Sequence, residues 1–454
     1  MINTLLIPEL REMLATGDEA GLREFASELH PGRVAEFMEG LTPEEAWGVL
    51  KACEPERRGE IFGYFSEPLK VQIVETVDPQ EISTLVADLP ADDRVDLINE
   101  VDPAVAAEML PLMPAEERRE TIRLREFPEG TAGSVMTTEV ARLPVNLTVR
   151  QALELISRQS QDLETVYYNY VVDDQDRLLG LVSARQLVVN FTKPDTPIAD
   201  LMQRDVVTVL AMDDQETVAA KVANFNFLAI PVVDDQSHLL GIITHDDIID
   251  VLREEATEDA HMSAGVNPLD DGYLETHWMT LAWKRGIWLG LLFLASIFTA
   301  VALESYLGAI EAVPWLLFFI PLVISSGGNS GSQSATLVIT AMTHGEVKLA
   351  DWWRVMRREL TMGLCLGGSL AIVGYLCASL LLREISSFDV LVLPVTILMV
   401  VICGTLCGGM LPLIFRRLGL DPALMSTPFV TGIIDIAGIV IYMNVAMRML
   451  ANFR

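Results

Sequence analysis

Five apolar stretches, each long enough to cross a lipid bilayer, constrain the fold of this chain more than any other feature. They cover residues 284–303, 313–341, 361–382, 390–415 and 428–450 of the 454-residue sequence. A helix needs about 20 apolar residues to span the hydrocarbon core, and lipid-exposed backbone must satisfy its own hydrogen bonds. Residues 277–454 are therefore predicted to form an all-α transmembrane domain of five helices.

The chain before this region is acidic and reads as soluble. The whole sequence has a formal net charge of −31, and the first 279 residues alone carry about −33. Nucleic acid is excluded as a partner because phosphate binding needs the opposite charge. We expect a multi-domain protein, with a helical N domain at 1–130, an α/β region at 131–252, and an acidic connecting helix and linker at 246–276.

Loop charges predict the orientation in the membrane. Lys and Arg residues cluster before the first apolar stretch, between the second and third, and between the fourth and fifth. The opposite loops are mainly acidic, so the positive-inside rule places the N-terminal domains in the cytoplasm and the C-terminus outside. The first residues lack the pattern of a cleaved signal peptide. We therefore expect a multi-pass protein of the cell (inner) membrane.

One segment of the second apolar stretch, Pro321–Gln333, is predicted not to be ordinary helix. It contains a proline and three glycines, which weaken a helix, and its sequence is PLVISSGGNSGSQ. Freed carbonyls together with the amides of Asn329 and Gln333 would suit a hard cation. The alternative is close helix packing through small residues, which glycine and serine also favour.

Asp435 is the only acidic residue inside the five apolar stretches, and the basic residues Lys284, Arg285 and Arg448 lie at the ends of theirs. A carboxylate at membrane depth costs roughly 2.5–3.5 kcal/mol on insertion scales, so it indicates a functional site. Thr431, Gly438 and Tyr442 lie on the same helical face. This polar stripe predicts that Asp435 faces protein or water rather than lipid.

The Gly-Gly-Asn-x-Gly-x-Gln core of Pro321–Gln333, followed by an aspartate in the last stretch, resembles the MgtE family of magnesium channels. The resemblance implies a homodimer of five-span subunits with the pore on the dimer axis, where Asp435 faces hydrated Mg²⁺. We therefore predict a magnesium channel or transporter and not an enzyme. The candidate pore and metal residues are Asp435, Asn329, Gly328, Gln333, Thr431 and Asp421.

Residues 134–252 contain a duplication. The segment 171–183 (VVDDQDRLLGLVS) aligns with 232–244 (VVDDQSHLLGIIT), and each reads as strand, turn and strand before a helix. The pair resembles tandem CBS domains, which implies a regulatory ATP site at Thr244 and Asp247 in the second copy. The first copy has Ser183 but Gln186 in place of the acid, so its site is incomplete. The same Thr-x-x-Asp spacing is also an ordinary helix N-cap, so the residues leave ATP binding open.

Prolines recur every 11–13 residues through 1–130, typically just before an acidic turn and an amphipathic segment. Proline favours the first position of a helix, and short repeated helices stack into a superhelix. We therefore expect an all-α superhelical N domain.

Acidic residues crowd two places in the cytoplasmic region, and both are candidate regulatory metal sites. With the resemblance, they imply that cytosolic Mg²⁺ bridges carboxylates and closes the channel, and that repulsion separates the domains when Mg²⁺ falls. A helix at about 246–262 would couple this sensor to the pore. The residues are Asp88, Asp92, Asp96, Asp247, Asp250, Glu254, Glu255, Glu258 and Asp259.

Two other functions fit parts of the sequence. A coupled exporter would move Na⁺ or H⁺ against a divalent cation, and Asp435 could bind either. A membrane-anchored nucleotide sensor would use the CBS pair without transport. A membrane metalloprotease is excluded because neither His277 nor His344 has a His-Glu-x-x-His context.

Overall fold

The structure, a computed structural model, describes residues 4–160, 163–269, 272–274, 276–381, 386–422 and 427–450. The chain divides into two compact units, Met1–Leu252 and Arg253–Arg454. Each unit has its own apolar core.

The first unit begins with ten short helices, as the proline spacing predicts. Pro43 is the first residue of its helix, and the capping box of Thr42 and Glu45 satisfies the free backbone N–H groups there. The predicted superhelix of this array stays a prediction. The helices are α1 (Ile7–Thr16), α2 (Glu19–Glu28), α3 (Pro31–Met38), α4 (Pro43–Lys51), α5 (Pro55–Gly63), α6 (Glu67–Thr76), α7 (Pro79–Ala87), α8 (Ala91–Glu100), α9 (Pro103–Met109) and α10 (Ala115–Leu124).

Two three-stranded sheets follow, one in each copy of the duplication. In each sheet the first two strands are parallel and the last two antiparallel. The first copy holds β1 (Val140–Pro144), α11 (Val149–Gln159), β2 (Thr165–Val172), β3 (Leu178–Ser183) and α12 (Ala184–Val189). The second holds β4 (Val209–Leu210), α13 (Gln215–Phe225), β5 (Ala229–Val233), β6 (Leu239–Thr244) and α14 (His245–Ser263).

The turns between the antiparallel strands repeat the same hydrogen bonds. The Asp173 side chain accepts from the backbone N–H groups of Gln175 and Arg177 at 2.8 and 2.9 Å. Asp234 accepts from Gln236 and His238, both at 2.8 Å. The duplication predicted from sequence is therefore a structural repeat.

Helices α8 and α10 pack into the core of the second copy. Ala91 and Val95 of α8 and Leu124 of α10 belong to one apolar cluster with residues of β4, β5 and β6. The Arg94 guanidinium is 1% exposed and lies 2.7 Å from Glu120. The side chain of Glu120 in turn accepts a hydrogen bond from the Thr138 hydroxyl. These contacts fix the position of α8 within residues 1–252, including its first turn with Asp92 and Asp93.

The second unit is helical throughout its described part. Its helices are α15 (Trp278–Glu304), α16 (Leu307–Ala312), α17 (Leu316–Thr343), α18 (Trp352–Leu381), α19 (Ser387–Val390), α20 (Val392–Arg417) and α21 (Thr427–Met449). Its core lies where α17, α20 and α21 meet. Short 3₁₀ turns occur in the two units at Thr4–Leu6, Leu110–Leu112, Ile198–Asp200 and Leu349–Asp351.

Four helices of the described residues are long and apolar enough to cross a membrane: α15, α18, α20 and α21. The predicted second span corresponds to α17, whose 28 residues extend about 42 Å. Its glycine, serine, asparagine and glutamine residues make it less apolar than the other four. The structure thus gives four clear candidate spans and one long, partly polar helix.

The prediction that Pro321–Gln333 is irregular was wrong, because the segment is continuous α-helix inside α17. The glycines mark places where neighbouring helices come very close. A Cβ at Gly331 would lie 3.1 Å from the carbonyl oxygen of Gly404, and one at Gly327 would lie 2.8 Å from Ile434 Cγ2. Close packing of this kind offsets the weak helix propensity of glycine. The expected freed carbonyls are instead part of the helix, and the glycines pack against neighbouring helices as the alternative predicted.

Candidate cation site

Helix α17 exposes a polar face within the membrane unit. Ser325, Asn329 and Gln333 are exposed and recur every four residues, and the Asn329 amide donates to the Ser325 hydroxyl at 3.2 Å. Thr336 and Thr340 continue the same face. Side chains of this kind are unfavourable against lipid tails, so the face requires a protein or water neighbour.

The flank of α17 next to this polar face contacts α21 through small and hydroxyl residues. A Cβ at the buried Gly328 would lie 3.0 Å from Thr431 Cγ2. The Ser332 and Thr431 hydroxyls are 3.0 Å apart, and the Ser332 hydroxyl also donates to the Thr427 carbonyl at 3.3 Å. Four of the predicted pore residues, Gly328, Asn329, Gln333 and Thr431, therefore lie on α17 or directly against it.

Asp435 lies one helical turn after Thr431 on α21. The residue is partly exposed, yet its Oδ1 atom is buried and has no hydrogen-bond partner among the described residues. Buried polar atoms are nearly always satisfied by protein, water or an ion. The carboxylate therefore has an open coordination position in a single copy of the chain.

The polar stripe predicted on α21 packs against protein. The buried Tyr442 hydroxyl donates to the Leu316 carbonyl at 3.1 Å, at the start of α17. A Cβ at Gly438 would lie 3.6 Å from Val400 Cγ1. After Asp435, these contacts hold α21 against α17 and α20, and before it Thr431 contacts α17.

In the first unit, the start of α14 lies beside the start of α8. Asp92 and Asp247 are half-buried, and Asp92 Oδ1 has no hydrogen-bond partner among the described residues. Burial and then the nearby Asp247 and Asp93 raise the pKa of the Asp92 carboxyl. The pKa of Asp247 is raised by burial, although hydrogen bonds from Thr244 oppose the shift.

Glu164, just before β2, joins this acidic group, which the sequence analysis did not predict. Loss of solvent, followed by the charges of Glu139, Asp247, Asp246 and Asp93, raises its pKa to about 7. A carboxyl group with that pKa is partly protonated near neutral pH, because the charged form is repelled by its neighbours. Several carboxylates converge here, and the nearby Lys70 opposes the rise in the pKa of Asp93 that burial causes.

The remaining predicted regulatory residues of this unit lie on or next to α14, α7 and α8. Asp250 is exposed on α14, and its charge raises the pKa of Asp93 together with burial, which is the larger cause. Asp88 follows α7, where burial and then Glu117 raise its pKa. Asp96 is exposed on α8.

A second acidic group lies in the second unit, at the C-terminal half of α14. The Asp259 carboxylate accepts a hydrogen bond from the Thr343 hydroxyl at the end of α17, at 3.2 Å. Burial and then Asp421 raise the pKa of Asp259. Burial, Glu255, Asp421 and Asp259 raise the pKa of Glu258, in that order. Sequence analysis grouped Asp421 with the pore, and its electrostatic neighbours are these α14 carboxylates. Glu254 is exposed on α14.

No group of three or more His, Cys, Asp or Glu side chains among the described residues is arranged to hold a metal ion. The acidic groups therefore do not form a preformed all-protein cage. Mg²⁺ usually keeps several waters and takes one or two carboxylates. The orphaned Asp92 oxygen next to Asp247 fits that mode of binding.

The predicted nucleotide residues act as helix caps. The Asp247 carboxylate accepts hydrogen bonds from the Thr244 hydroxyl and, at 3.1 Å, from its backbone N–H. Ser183 forms a capping box with Gln186. A cavity of about 220 Å³ lies elsewhere in the CBS pair, and Thr244, Asp247 and Ser183 are not among its lining residues. It is lined by Leu178, Leu179, Gly180, Arg204, Val206, Thr208, Val233 and Ser237.

Three family profiles match successive parts of the chain. Residues 29–130 match an MgtE intracellular N domain, and residues 132–192 and 198–254 match CBS domains. Residues 320–445 match a divalent cation transporter. This order follows the elements α3–α10, the two sheet repeats, and the helices α17–α21.

Similarity to curated proteins extends over the full length. The magnesium transporter MgtE of Thermus thermophilus is 35% identical over 448 residues, which is 98% of both chains. That of Enterococcus faecalis is 34% identical and covers 74% of this chain and 72% of its own. The chain belongs to the MgtE family of magnesium transporters. MgtE proteins are transporters and not enzymes, and Mg²⁺ is their substrate.

Two solved structures resemble about half of this chain. The crystal structure of the soluble part of a magnesium transporter is 35% identical, with a TM-score of 0.52, and covers 55% of this chain and 97% of its own. The cytosolic domain of the Mg²⁺ channel MgtE in complex with ATP is 34% identical, with a TM-score of 0.50, and covers 53% and 98%.

One buried carboxylate of this MgtE chain was missed by sequence analysis. Helix α18 begins at Trp352, nine residues before the apolar stretch at 361–382, and includes Glu359. Glu359 is 8% exposed. Three arginines precede it, at 354, 357 and 358, so the sequence around Glu359 looks like a cytoplasmic loop. A run of small residues every three or four positions after it was the available signal of a buried face.

Proposed function

We propose that this chain forms a homodimeric magnesium channel in the cell (inner) membrane, which conducts hydrated Mg²⁺ into the cytoplasm. The observation that carries the proposal is the buried, unpartnered Oδ1 atom of Asp435 beside the polar helix α17. In this proposal all five long helices, α17 included, cross the membrane. The N-terminal domains are cytoplasmic and the C-terminus lies outside.

A dimer explains the exposed polar face of α17. Asn329 and Gln333 are unfavourable neighbours for lipid, and a second copy would enclose them around a water-filled path on the symmetry axis. Irregular or polar surfaces at membrane depth are tolerated where they line such a cavity. Two copies of Asp435 then face the path, and each supplies an open carboxylate oxygen.

Hydrated Mg²⁺ suits this site better than a dehydrated ion. Each subunit contributes one carboxylate with neighbouring amide and hydroxyl groups, which is too few ligands to replace an octahedral water shell. Mg²⁺ dehydrates reluctantly and is commonly held through its waters. Weak contact through water also allows the ion to leave, as conduction requires.

Cytosolic Mg²⁺ closes the channel in this proposal. Asp92 and Asp247 in the first unit, and Glu258, Asp259 and Asp421 in the second, repel one another when no cation is present. Mg²⁺ bound by the carboxylates within each group removes that repulsion and favours the closed state of the channel. Several weak sites that each prefer the closed state by a modest factor can together shift the equilibrium.

Helix α14 provides a connection between the two acidic groups. It begins in the first unit with Asp247 and ends in the second with Glu258 and Asp259. Because it is one continuous helix, a change at one end is transmitted along its length. The Thr343–Asp259 hydrogen bond ties its second half to α17, which bears the proposed pore face.

ATP is proposed as a regulatory ligand of the CBS pair. The support is the ATP complex of a cytosolic domain 34% identical to this chain. Arg204 in the 220 Å³ cavity offers a cation for phosphate oxygens. A cavity of that volume is smaller than typical ligand sites, so ATP would extend beyond it along the repeat interface.

Replacement of Asp435 by alanine tests the pore assignment. The variant should fold and reach the membrane but lose Mg²⁺ uptake in cells that depend on this protein for magnesium. Asp389→Ala is the matched control, because Asp389 lies in the short helix α19 and should leave uptake unchanged. Uptake by Asp435→Ala at the wild-type rate would defeat the proposal.

A further inference from the structure

Glu359 is a carboxylate that the proposed conduction path does not use. Apart from Glu304 at the very end of α15, it and Asp435 are the only acidic residues in the described helices α15, α17, α18, α20 and α21. Glu359 is 8% exposed, and no lysine or arginine of the described residues forms an ion pair with it. Burial of a polar group is unfavourable unless the group is hydrogen-bonded. Its placement therefore needs a specific partner.

That partner is on α17. The buried Ser334 hydroxyl donates a hydrogen bond of 2.6 Å to Glu359 Oε2. A buried polar atom left without such a partner is costly. The contact is therefore a direct polar link from α18 to the helix that carries Asn329 and Gln333.

The side chain of Glu359 reaches α17 by passing over α20. A Cβ at Gly409 of α20 would lie 2.6 Å from Glu359 Cγ, so only glycine leaves room for this route. The Thr405 hydroxyl of α20 donates to the Glu359 backbone carbonyl at 3.1 Å. Farther along α18, a Cβ at Gly363 would lie 2.6 Å from Thr405 Oγ1. Three helices thus meet around one carboxylate.

The Ser334–Glu359 hydrogen bond restricts rotation of α17 about its own axis. Ser334 points inward to Glu359, and its neighbour Gln333 is exposed, as expected for adjacent residues about 100° apart on a helix. Two residues before Ser334, the Ser332 hydroxyl contacts Thr431 on α21. Two hydroxyl groups on different flanks of α17, joined to α18 and α21, fix the direction in which Asn329 and Gln333 point.

We infer that Glu359 is a positioning residue that, through Ser334, holds the polar face of α17 toward the conduction path. The inference rests on the proposed function, since it assumes that this face lines the path. Glu359 does not touch the ion. Its effect on transport comes from the orientation of α17, so loss of the link alters selectivity as well as rate.

The test uses Glu359→Leu, Ser334→Ala, the double variant and Glu359→Gln in the full-length protein in vesicles. Glu359→Leu and Ser334→Ala should each lower Mg²⁺ flux per folded protein about tenfold, as expected for loss of one buried hydrogen bond. The double variant should be no worse than either single variant, because both remove the same link. Glu359→Gln keeps an oxygen that accepts from Ser334 and should restore most of the flux.

Selectivity separates positioning from general damage to the fold. Ca²⁺ flux relative to Mg²⁺ flux should rise in Glu359→Leu and Ser334→Ala, whereas a simple loss of folded protein lowers both fluxes equally. Glu304→Leu is the matched control, because Glu304 is exposed at the end of α15 and should change neither quantity. Ser334→Ala removes a single hydroxyl, so it carries the test if Glu359→Leu does not fold.

Wild-type flux and selectivity in folded Ser334→Ala would overturn the inference. Equal damage in Glu359→Gln and Glu359→Leu would also overturn it, since the charge and not the link would then matter. Failure of the proposed function is distinguishable, because it requires that Asp435→Ala retain Mg²⁺ flux. If only Asp435→Ala loses flux, the pore assignment stands and the role of Glu359 is wrong.

Discussion

Glycines 331, 404 and 408 set the distance between α17 and α20. A Cβ at Gly408 would overlap the backbone carbonyl of Gly331, and a backbone atom cannot move aside as a flexible side chain can. Such close approach is typical of membrane helices that pack through small residues. The contact allows α17 to be helical despite its weak helix-forming sequence.

Gly408→Ala is therefore expected to destabilise the membrane unit. Overpacking typically costs about 1–3 kcal/mol, so the midpoint of thermal unfolding in detergent should fall by several degrees. Gly368→Ala on α18 is the matched control, since a Cβ there meets no atom within 4 Å. That variant should be neutral or slightly more stable because alanine favours helix. Equal midpoints for the two variants would contradict the packing account.

At the same residue scale, a functional carboxylate was easier to recognise in an apolar stretch than among other charged residues. Asp435 stands out because it is the only acidic residue in an apolar stretch. Glu359 follows three arginines, so its burial could not be inferred from local composition. The glycines were recognised as unusual, but periodicity alone does not distinguish a broken helix from a tightly packed one. Only the positions of α20 and α21 decide that question.

At the scale of elements, helix α14 was predicted with close bounds. The predicted range, 246–262, lies within His245–Ser263, because an acidic start and an apolar face mark such a helix clearly. The proline-led helices of the N domain and the two strand–turn–strand repeats were also foreseen. The grouping of acidic residues from distant parts of the sequence, such as Asp92 with Asp247 or Asp259 with Asp421, depends on tertiary packing and was not.

Neutralising the end of α14 tests its role as a Mg²⁺-responsive element. Millimolar Mg²⁺ should protect residues 246–262 and the junction near 130 from protease in the wild-type protein. Glu258→Gln combined with Asp259→Asn removes two of the repelling charges, so the difference in digestion with and without Mg²⁺ should become smaller.

The control for this experiment is Glu12→Gln with Glu24→Gln. Both residues are exposed in the first two helices, and their replacement removes the same charge without touching α14. Their digestion should depend on Mg²⁺ as in the wild type. An unchanged Mg²⁺ dependence in the α14 variant would contradict a sensing role for Glu258 and Asp259.

At the scale of the whole molecule, the net charge of −31 makes stability depend on pH and on cations. Glu164 has a pKa of about 7 in the folded unit, above its usual value of 4.5. The folded state therefore binds a proton that the unfolded state has already released between these values. Stability from this group is present at low pH and is lost as pH rises through about 7.

Thermal unfolding of the full-length protein checks this dependence. Without Mg²⁺, the transition of the first unit should occur at a higher temperature at about pH 5.5 than at about pH 7.5. Millimolar Mg²⁺ should reduce the difference, because the cation replaces the proton in relieving repulsion. Glu164→Gln should also reduce it. A difference unaffected by both would show that Glu164 and its neighbours do not respond to cations.

The central claim is that hydrated Mg²⁺ passes Asp435 down its own gradient under the control of cytosolic Mg²⁺. Flux into vesicles with no sodium or pH gradient measures this most directly. The wild-type protein should admit Mg²⁺, the flux should fall when millimolar Mg²⁺ is present on the cytoplasmic face, and Asp435→Asn should admit little or none. Mg²⁺ movement only when a sodium or proton gradient is imposed would contradict the account and identify a coupled transporter instead.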